Sequence, residues 1–569
     1  MRQSSEHHFT TGDGASLFYR AWLPSTPPQR ALLLFHRGHE HSARMQPLVD
    51  GLQLEDYAIF AWDQRGCGHS PGPRGHARSL AQLEQDMQAF LDHLCEQHSL
   101  QPENIVVIAH SVAAVVAGLW AVDYAPRLRG LVLATPALHI KLYVPLARPA
   151  LALARRLGLM ENVQSYVRGG ALTHDREQAR QYDQDPLISR QISSDMLLDL
   201  HQGARRLQQC APNLDTPTLV LSSRADWVVK NLPIRRFFRA LPSPYKESQV
   251  YRNFYHALFH EKDRHLVFQD VRAFVLRCFE RPVDRSRLAQ ADRYGLSAER
   301  YRWHQAGLPW LHPKNWVMMK LRLALKSVGR ISQGMRIGLR SGFSSGSSLD
   351  YVYQNQPGGF TPLGRWLDAG YLAAIGWVRV RQRRAHLMQL LGEVLQNNTT
   401  VLDVAGGPAR YLIDLLAPRP DLNVRVLVRD RDPAALEEGR RLARPDARFD
   451  YAQSDALDAR ALAAQGPVDI AIVSGLYELI PGNGPLTHSL QGLAAAVKSG
   501  GYLIYTNQPY HPQLELIAET LTHGDGSRWV MRCRSTAEMD ELVAQAGFKK
   551  VKMLIDDDGI FSVSLAQKL

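Results

Sequence analysis

Three residues in a fixed order carry the first chemical signal in this sequence: Ser111, Asp226 and His256. A serine hydroxyl is a weak nucleophile until a base takes its proton, and imidazole titrates near neutrality. An acid behind the imidazole orients it and stabilises the imidazolium. Ser111 follows the apolar run Ile105-Val-Val-Ile-Ala109 and is flanked by small residues in Ala109-His110-Ser111-Val112-Ala113. Asp226 follows the run Thr218-Leu-Val-Leu-Ser222, and His256 comes thirty residues later, after Phe254-Tyr255. The order Ser, Asp, His, with the serine and acid just beyond strand-like runs, points to acyl transfer through a serine.

A second constellation lies in the other half. Thr400-Val-Leu-Asp403 is strand-like and runs into Val404-Ala-Gly-Gly-Pro-Ala-Arg-Tyr411, a turn of small residues that enters a helix. Val424-Arg-Val-Leu-Val-Arg429 ends at Asp430, and Asp455 follows the next short strand. A small-residue βα turn brings backbone close to a ligand, and an acid at the next strand end accepts hydrogen bonds from ribose hydroxyls. Tyr477 and Glu478, after the fourth strand, are candidates for contact with a second substrate.

These residues need rigid carriers. Alternating short apolar runs and helical stretches, such as Leu80 to Leu94, predict an α/β fold with mostly parallel sheets in both halves. With 569 residues the chain is too long for one core. The reading divides it into 1–284, a basic helical linker or accessory region at 285–385, and 386–569. About eighty residues between the runs near Leu131 and Leu219 do not read as sheet and suit a helical cap over the first site, at about 137–212. Within it, Leu142–Met160 is apolar with scattered Arg, a lid or a packed helix.

Composition narrows the setting. Hydrophobic content of 45% and charged content of 21% are those of a globular protein. The five cysteines, Cys67, Cys95, Cys210, Cys278 and Cys533, form no CxxC pair or metal-ligand spacing, so neither a disulfide framework nor a metal is expected. No apolar h-region opens the chain and no run suffices to span a bilayer, so the expectation is a cytoplasmic protein. The net charge of +12 is concentrated: Tyr301–Leu349 holds eight Lys or Arg and no acid, interleaved with Trp303, Trp310 and Trp316. That pattern suits the anionic inner face of a membrane, or an accessory region packed on the second half. No nucleic-acid recognition module accompanies it. Ser344–Ser348 reads as a flexible stretch.

The first half resembles the monoacylglycerol lipase and lysophospholipase group of α/β hydrolases, also described as serine aminopeptidase-like, over roughly 8–280. The resemblance rests on His36-Arg-Gly-His-Glu-His-Ser42, on Asp63-Gln-Arg-Gly-Cys-Gly-His-Ser-Pro-Gly-Pro-Arg-Gly-His76 and on Phe254-Tyr-His256. The serine motif resembles the G-x-S-x-G nucleophile elbow with alanine at both glycine positions. The resemblance implies an α/β-hydrolase fold with a helical cap, and an oxyanion hole formed by the backbone amides of Gly38 and Val112. Arg37 replaces a usually small residue, and would narrow that hole or supply a cation.

The second half, over roughly 385–569, resembles class I methyltransferases of Rossmann-like fold. Asp403 with Ala405, Gly407 and Ala409 matches their motif D-x-G-x-G-x-G with alanine at the first and third glycines. Phe548–Leu554 and Ile560–Leu565 resemble their closing antiparallel pair. The cofactor implied is S-adenosylmethionine. The Ala405, Gly406, Gly407 and Ala409 backbone would approach its methionine moiety, Asp430 its ribose and Asp455 its adenine. A dinucleotide-binding dehydrogenase is the competing reading of Gly406-Gly407. Asn507-Gln-Pro-Tyr510 looks like the N-P-P-Y motif of DNA amino-methyltransferases but follows the fifth strand rather than the fourth. Together the halves imply a bifunctional enzyme for a lipid-like or small-molecule substrate. The alternatives are a peptidase-like hydrolase, or a membrane-associated scaffold with inactive sites.

Overall fold

The computed structural model describes residues 2–143, 147–157, 161–343, 345–523 and 525–569. It divides into two units, Met1–Asp284 and Arg285–Leu569.

The first unit is built on strands β1 (Ser5–Thr10), β2 (Ser16–Trp22), β3 (Ala31–Phe35), β4 (Ala58–Trp62), β5 (Ile105–His110), β6 (Gly130–Ala134), β9 (Thr218–Ser223) and β10 (Lys246–Tyr251). Their order across one sheet is β1-β2-β4-β3-β5-β6-β9-β10. β1 and β2 are antiparallel, β2 is antiparallel to β4, and β4, β3, β5, β6, β9 and β10 run parallel. Strands β3 to β6 are buried along their whole length, as continuous apolar runs covered on both faces must be. The helix Val112–Asp123 leaves β5 and is buried from Ala113 onward.

Between β6 and β9 lies a cap containing the helices Ala147–Arg156, Arg176–Gln184 and Ser194–Cys210. It also holds a small antiparallel pair, β7 (Asn162–Gln164) and β8 (Gln191–Ser193), each too short for its alternation to reveal a strand in sequence. The apolar stretch Leu142–Met160 lies partly outside the described residues. The cap helix Ser194–Cys210 reaches the body through Arg206, whose guanidinium bonds Asp123 at 2.6 Å and Glu84 at 3.1 Å, all three buried.

The second unit's sheet comprises β11 (Thr399–Val404), β12 (Val424–Asp430), β13 (Phe449–Gln453), β14 (Val468–Val473), β15 (Val497–Asn507), β16 (Phe548–Ile555) and β17 (Ser562–Lys568). The order is β13-β12-β11-β14-β15-β17-β16, parallel except for β17, which is antiparallel to both neighbours. This is a Rossmann-like sheet whose strand order reverses beside β11, where such sheets open a crevice.

Residues 285–385 are helical and belong to the second unit, so they are not a free joint. Phe343, Tyr351, Tyr371 and Trp377 pack with Ile517, Trp529 and Phe561 in a common apolar cluster. Ser345 caps the helix Gly346–Gln354, so the serine run starts a helix rather than a flexible stretch. The helix Pro313–Ser327 differs, for none of its residues is buried.

Candidate active sites in the two units

Ser111 stands at the C-terminal end of β5 with φ 58° and ψ −112°. A non-glycine residue in so strained a backbone costs about 1–3 kcal/mol, and persists only where its surroundings fix it. Here the Ser111 amide donates to the Ala134 carbonyl (2.9 Å), and its own carbonyl accepts from Ala137 (3.1 Å). Ala109 and Ala113 are buried in the tight turn, which explains the small residues on either side.

His256 Nε2 lies 2.8 Å from Ser111 Oγ, and its Nδ1 lies 2.8 Å from Asp226 Oδ2. The other Asp226 oxygen accepts from the amides of Val228 (2.7 Å) and Val229 (2.9 Å). Burial pushes the Asp226 carboxyl up, but His256 and these donors outweigh it and hold the carboxyl below its ordinary range. The structure thus brings together all three residues anticipated from sequence.

Other positioning residues were not foreseen. His110 Nε2 donates to the His256 carbonyl (3.0 Å), as does the Thr135 hydroxyl (3.2 Å). Burial and the neighbouring His256 hold His110 well below the usual histidine range, so it is neutral. Glu261 accepts from the Tyr255 amide at 2.7 Å and fixes the loop that delivers His256.

Val112 is the first residue of its helix, so its amide has no helical carbonyl to bind. Gly38 lies against it: a Cβ on Gly38 would stand 3.2 Å from Val112 Cγ2. The Gly38 loop is tied by Asp63, which accepts from Ser42 (2.6 Å) and from His69 (2.7 Å). Asp63 is therefore scaffolding for the site, whereas Gln64, Cys67, Gly75 and His76 of the same motif line the cleft itself. Arg37 is no free cation: it bonds Glu40 at 2.8 Å and lies 4.6 Å above the Tyr182 ring.

The cleft around Ser111 has a volume of about 160 Å³. It shares Ala137, Ile140, Leu142, Val163 and Leu200 with a largely apolar chamber of about 600 Å³ under the cap. No Asp or Glu is among the described residues lining the cleft.

In the second unit one polar cleft of about 630 Å³ is lined by Asp403, Ala405, Gly406, Gly407, Ala409, Asp430 and Asp455 together. Ala405 (φ 55°), Gly407 (φ 55°) and Ala409 (φ 53°) are all left-handed. The two alanines thus keep the conformation that glycines adopt without strain. Gly406 must be glycine, because a Cβ would fall 2.2 Å from Asp403 Oδ2. The Asp403 carboxyl is buried facing the Tyr411 hydroxyl without a close hydrogen bond to it, and has no other partner among the described residues. Burial pushes the Asp403 carboxyl up to about 7. Asp430 accepts from Gly407 (2.8 Å) and Asp432 (2.9 Å), and Asp455 accepts from Leu457 (2.9 Å). These bonds set each carboxylate at the cleft edge.

Glu478 and Tyr477 part company. The Tyr477 hydroxyl bonds Ser489 in the interior, whereas Glu478 lines an adjoining cavity. Arg383, Tyr353 and the ion pair of Arg410 with Asp350 also border the cleft, and sequence alone did not reveal them. Three come from the accessory helices, which no motif marks.

Residues 271–568 match the family described as "Putative methyltransferase", and residues 26–263 match the family described as "Serine aminopeptidase, S33". The chain is 44% identical to the uncharacterized protein YnbC of Escherichia coli over 99% of its own length and 98% of the relative's. It is 25% identical to a monoacylglycerol lipase of Mycolicibacterium smegmatis, covering 48% of this chain and 97% of that one. A crystal structure of Paleococcus ferrophilus monoacylglycerol lipase aligns with 48% of this chain and 99% of its own, at 22% identity and a TM-score of 0.41.

Proposed function

Because the chain belongs to the family described as "Putative methyltransferase" and carries a lipase-like α/β-hydrolase domain before it, we propose that it is a bifunctional enzyme, a serine ester hydrolase and an S-adenosylmethionine-dependent methyltransferase. The observation that carries the first half is the Ser111–His256–Asp226 relay opening onto an apolar chamber. Ser111 Oγ attacks the ester carbonyl while His256 Nε2 takes its proton. The amides of Gly38 and Val112 receive the charge that develops on the carbonyl oxygen. His256 returns the proton to the leaving alcohol, and water repeats the sequence on the acyl-serine. The chamber suits an acyl chain. A peptidase recognising a free amino terminus would need an acid in the cleft, and the described lining offers none. Turnover of short and long acyl esters, abolished in Ser111→Ala, tests this reading. Turnover confined to aminoacyl amides would replace it with the peptidase.

The second half rests on the cleft at Asp403. Cofactor pockets measure roughly 300–1,000 Å³, and this one falls in that range. The Asp403 carboxyl on the cleft wall and the left-handed Ala405–Ala409 turn fit a cationic, amino-acid-bearing cofactor such as S-adenosylmethionine. Asp430 and Asp455 would hold its ribose and adenine. The cofactor supplies an electrophilic methyl group; the protein's part is alignment and exclusion of water.

The setting follows from the exposed helix Pro313–Ser327. Trp316, Val317, Met319 and Leu323 are exposed on it beside Lys320 and Lys326, and Trp310 precedes it at 72% exposure. Aromatic and cationic groups on one surface suit peripheral contact with an anionic bilayer. No helix among the described residues is long and apolar enough to cross a membrane.

A further inference from the structure

The second unit holds a chamber of about 730 Å³ to which the two proposed reactions assign no ligand. Its wall is mostly hydrocarbon and indole, including Met335, Phe343, Trp377, Ile517 and Trp529. At one end it shares Leu349, Arg383, Gly475 and Leu479 with the cleft at Asp403. Elsewhere its wall includes Leu321 and Trp366, which are exposed on the surface.

Several polar side chains interrupt this wall, Arg383, His511, Gln513 and Thr520 among them. Glu478 and Gln508 both line the chamber, and they are 5% and 3% exposed. Glu478 Oε1 is occupied, accepting from Thr506 at 2.7 Å with Arg383 at 3.4 Å. Glu478 Oε2 and Gln508 Nε2 have no partner in the protein. A buried acceptor and a buried donor left unmade are both costly, and here they stand at one cavity, with Arg383 Nε and Trp529 Nε1 also unbonded on its wall. The bond to Arg383 places Glu478 at the end shared with the cleft. Gln508 belongs to the Asn507–Tyr510 segment that follows β15.

A ligand with one donor for Glu478 Oε2 and one acceptor for Gln508 Nε2 at its head, and hydrocarbon behind, answers this pair. A hydroxyl supplies both from a single oxygen. A carboxylate offers acceptors alone and would face the Glu478 charge, and an ammonium offers donors alone. We propose that this chamber binds a single-chain, lipid-like alcohol, with its hydroxyl donating to Glu478 Oε2 and accepting from Gln508 Nε2 and its chain along the apolar wall. The inference deepens the methyltransferase reading and rests on it for its purpose, since the hydroxyl then stands at the end shared with the cofactor cleft.

Binding tests this without any methyl transfer. The full-length protein is first reacted with a long-chain fluorophosphonate, which occupies Ser111 and the acyl chamber of the first unit. Decan-1-ol and its methyl ether, 1-methoxydecane, are then titrated by calorimetry and by tryptophan fluorescence, since Trp377 and Trp529 line the chamber. The alcohol binds about tenfold more tightly than the ether, the preference expected of a hydrogen bond to a charged group. In Glu478→Gln that preference falls to roughly threefold or less, as a neutral acceptor replaces the charged one. Gly370 lines the chamber, and a Cβ at that position would meet nothing within 4 Å, so Gly370→Trp is the substitution chosen to crowd the cavity. That variant keeps the wild-type melting temperature and loses affinity for both probes at least tenfold. Equal affinity for alcohol and ether, or undiminished binding by Gly370→Trp, overturns the proposal. S-adenosylmethionine titrated into the same preparations keeps the two readings apart: alcohol binding retained without cofactor binding supports the chamber and overturns only the transferase.

Discussion

Gly406 lies so close to Asp403 that a Cβ at position 406 would stand 2.2 Å from the Asp403 carboxylate. The first unit repeats the device, where a Cβ on Gly68 would stand 2.1 Å from Asp63 Oδ2. In both, a buried acid at a strand end is covered by bare backbone. Gly406→Ala must therefore displace the turn or the carboxylate. The expected outcome is a loss of S-adenosylmethionine affinity of at least about tenfold, the equivalent of 1.4 kcal/mol, measured by calorimetry. Wild-type affinity would contradict the role given to the turn.

Asp403 also sets a pH dependence. Its carboxyl is raised to about 7 by burial, above the value of an unfolded aspartate. A group raised in the folded state binds more protons folded than unfolded, so its contribution to stability is present at low pH and lost as pH rises through about 7. Between the two pKa values the loss is on the order of 1.4 kcal/mol per pH unit. Urea titrations of the ligand-free protein therefore show the second unit weakening from about pH 4 to about pH 7, the window between the two values. Asp403→Asn flattens that slope. An unchanged slope in the variant would assign it to other groups.

The cap depends on Arg206. Removing the guanidinium strands Glu84 and Asp123 in the interior, and losing one partner of a buried ion pair typically costs about 3–5 kcal/mol. Arg206→Met should lower the unfolding free energy of the first unit by that order, and it should reduce ester turnover as the cap loosens. A substitution that leaves both unchanged would show that the cap is held elsewhere.

Membrane contact predicts salt-sensitive binding to vesicles. Wild-type protein should co-float with vesicles containing phosphatidylglycerol and less so with pure phosphatidylcholine, and the difference should shrink as ionic strength rises. The triple substitution Lys320→Glu, Lys326→Glu and Arg330→Glu, all at exposed positions, abolishes the preference. Binding that survives the substitutions would remove this helix from the account.

Much of this was legible in the sequence, and the reasons differ by residue. Ser111, Asp226 and His256 could be found because strands buried on both faces are unmistakable apolar runs, and functional groups gather at their ends. Motif alone was weaker. Ala405 and Ala409 sit at left-handed φ where the family pattern has glycine, so strain was accepted and the letters changed while the backbone did not. His110 and Thr135 were invisible because they act on a backbone carbonyl, which no spacing announces. The helices of 285–385 left linker and packed accessory region both open because their charges are local in sequence, whereas the partners of Tyr351 and Trp377 are Ile517, Trp529 and Phe561. Gln508 was noticed only through an ill-fitting motif, and its place on a cavity wall is tertiary information.

The central claim is that one chain holds two independent active sites, and a crossed measurement tests it directly. Ester turnover and S-adenosylmethionine binding are both determined on wild type, Ser111→Ala and Asp430→Ala. The account predicts that Ser111→Ala loses turnover by at least about a thousandfold and binds the cofactor as wild type does. Asp430→Ala is predicted to keep turnover and lose cofactor affinity. A wild-type protein that shows neither turnover nor binding, or a Ser111→Ala variant that still hydrolyses esters, would contradict it.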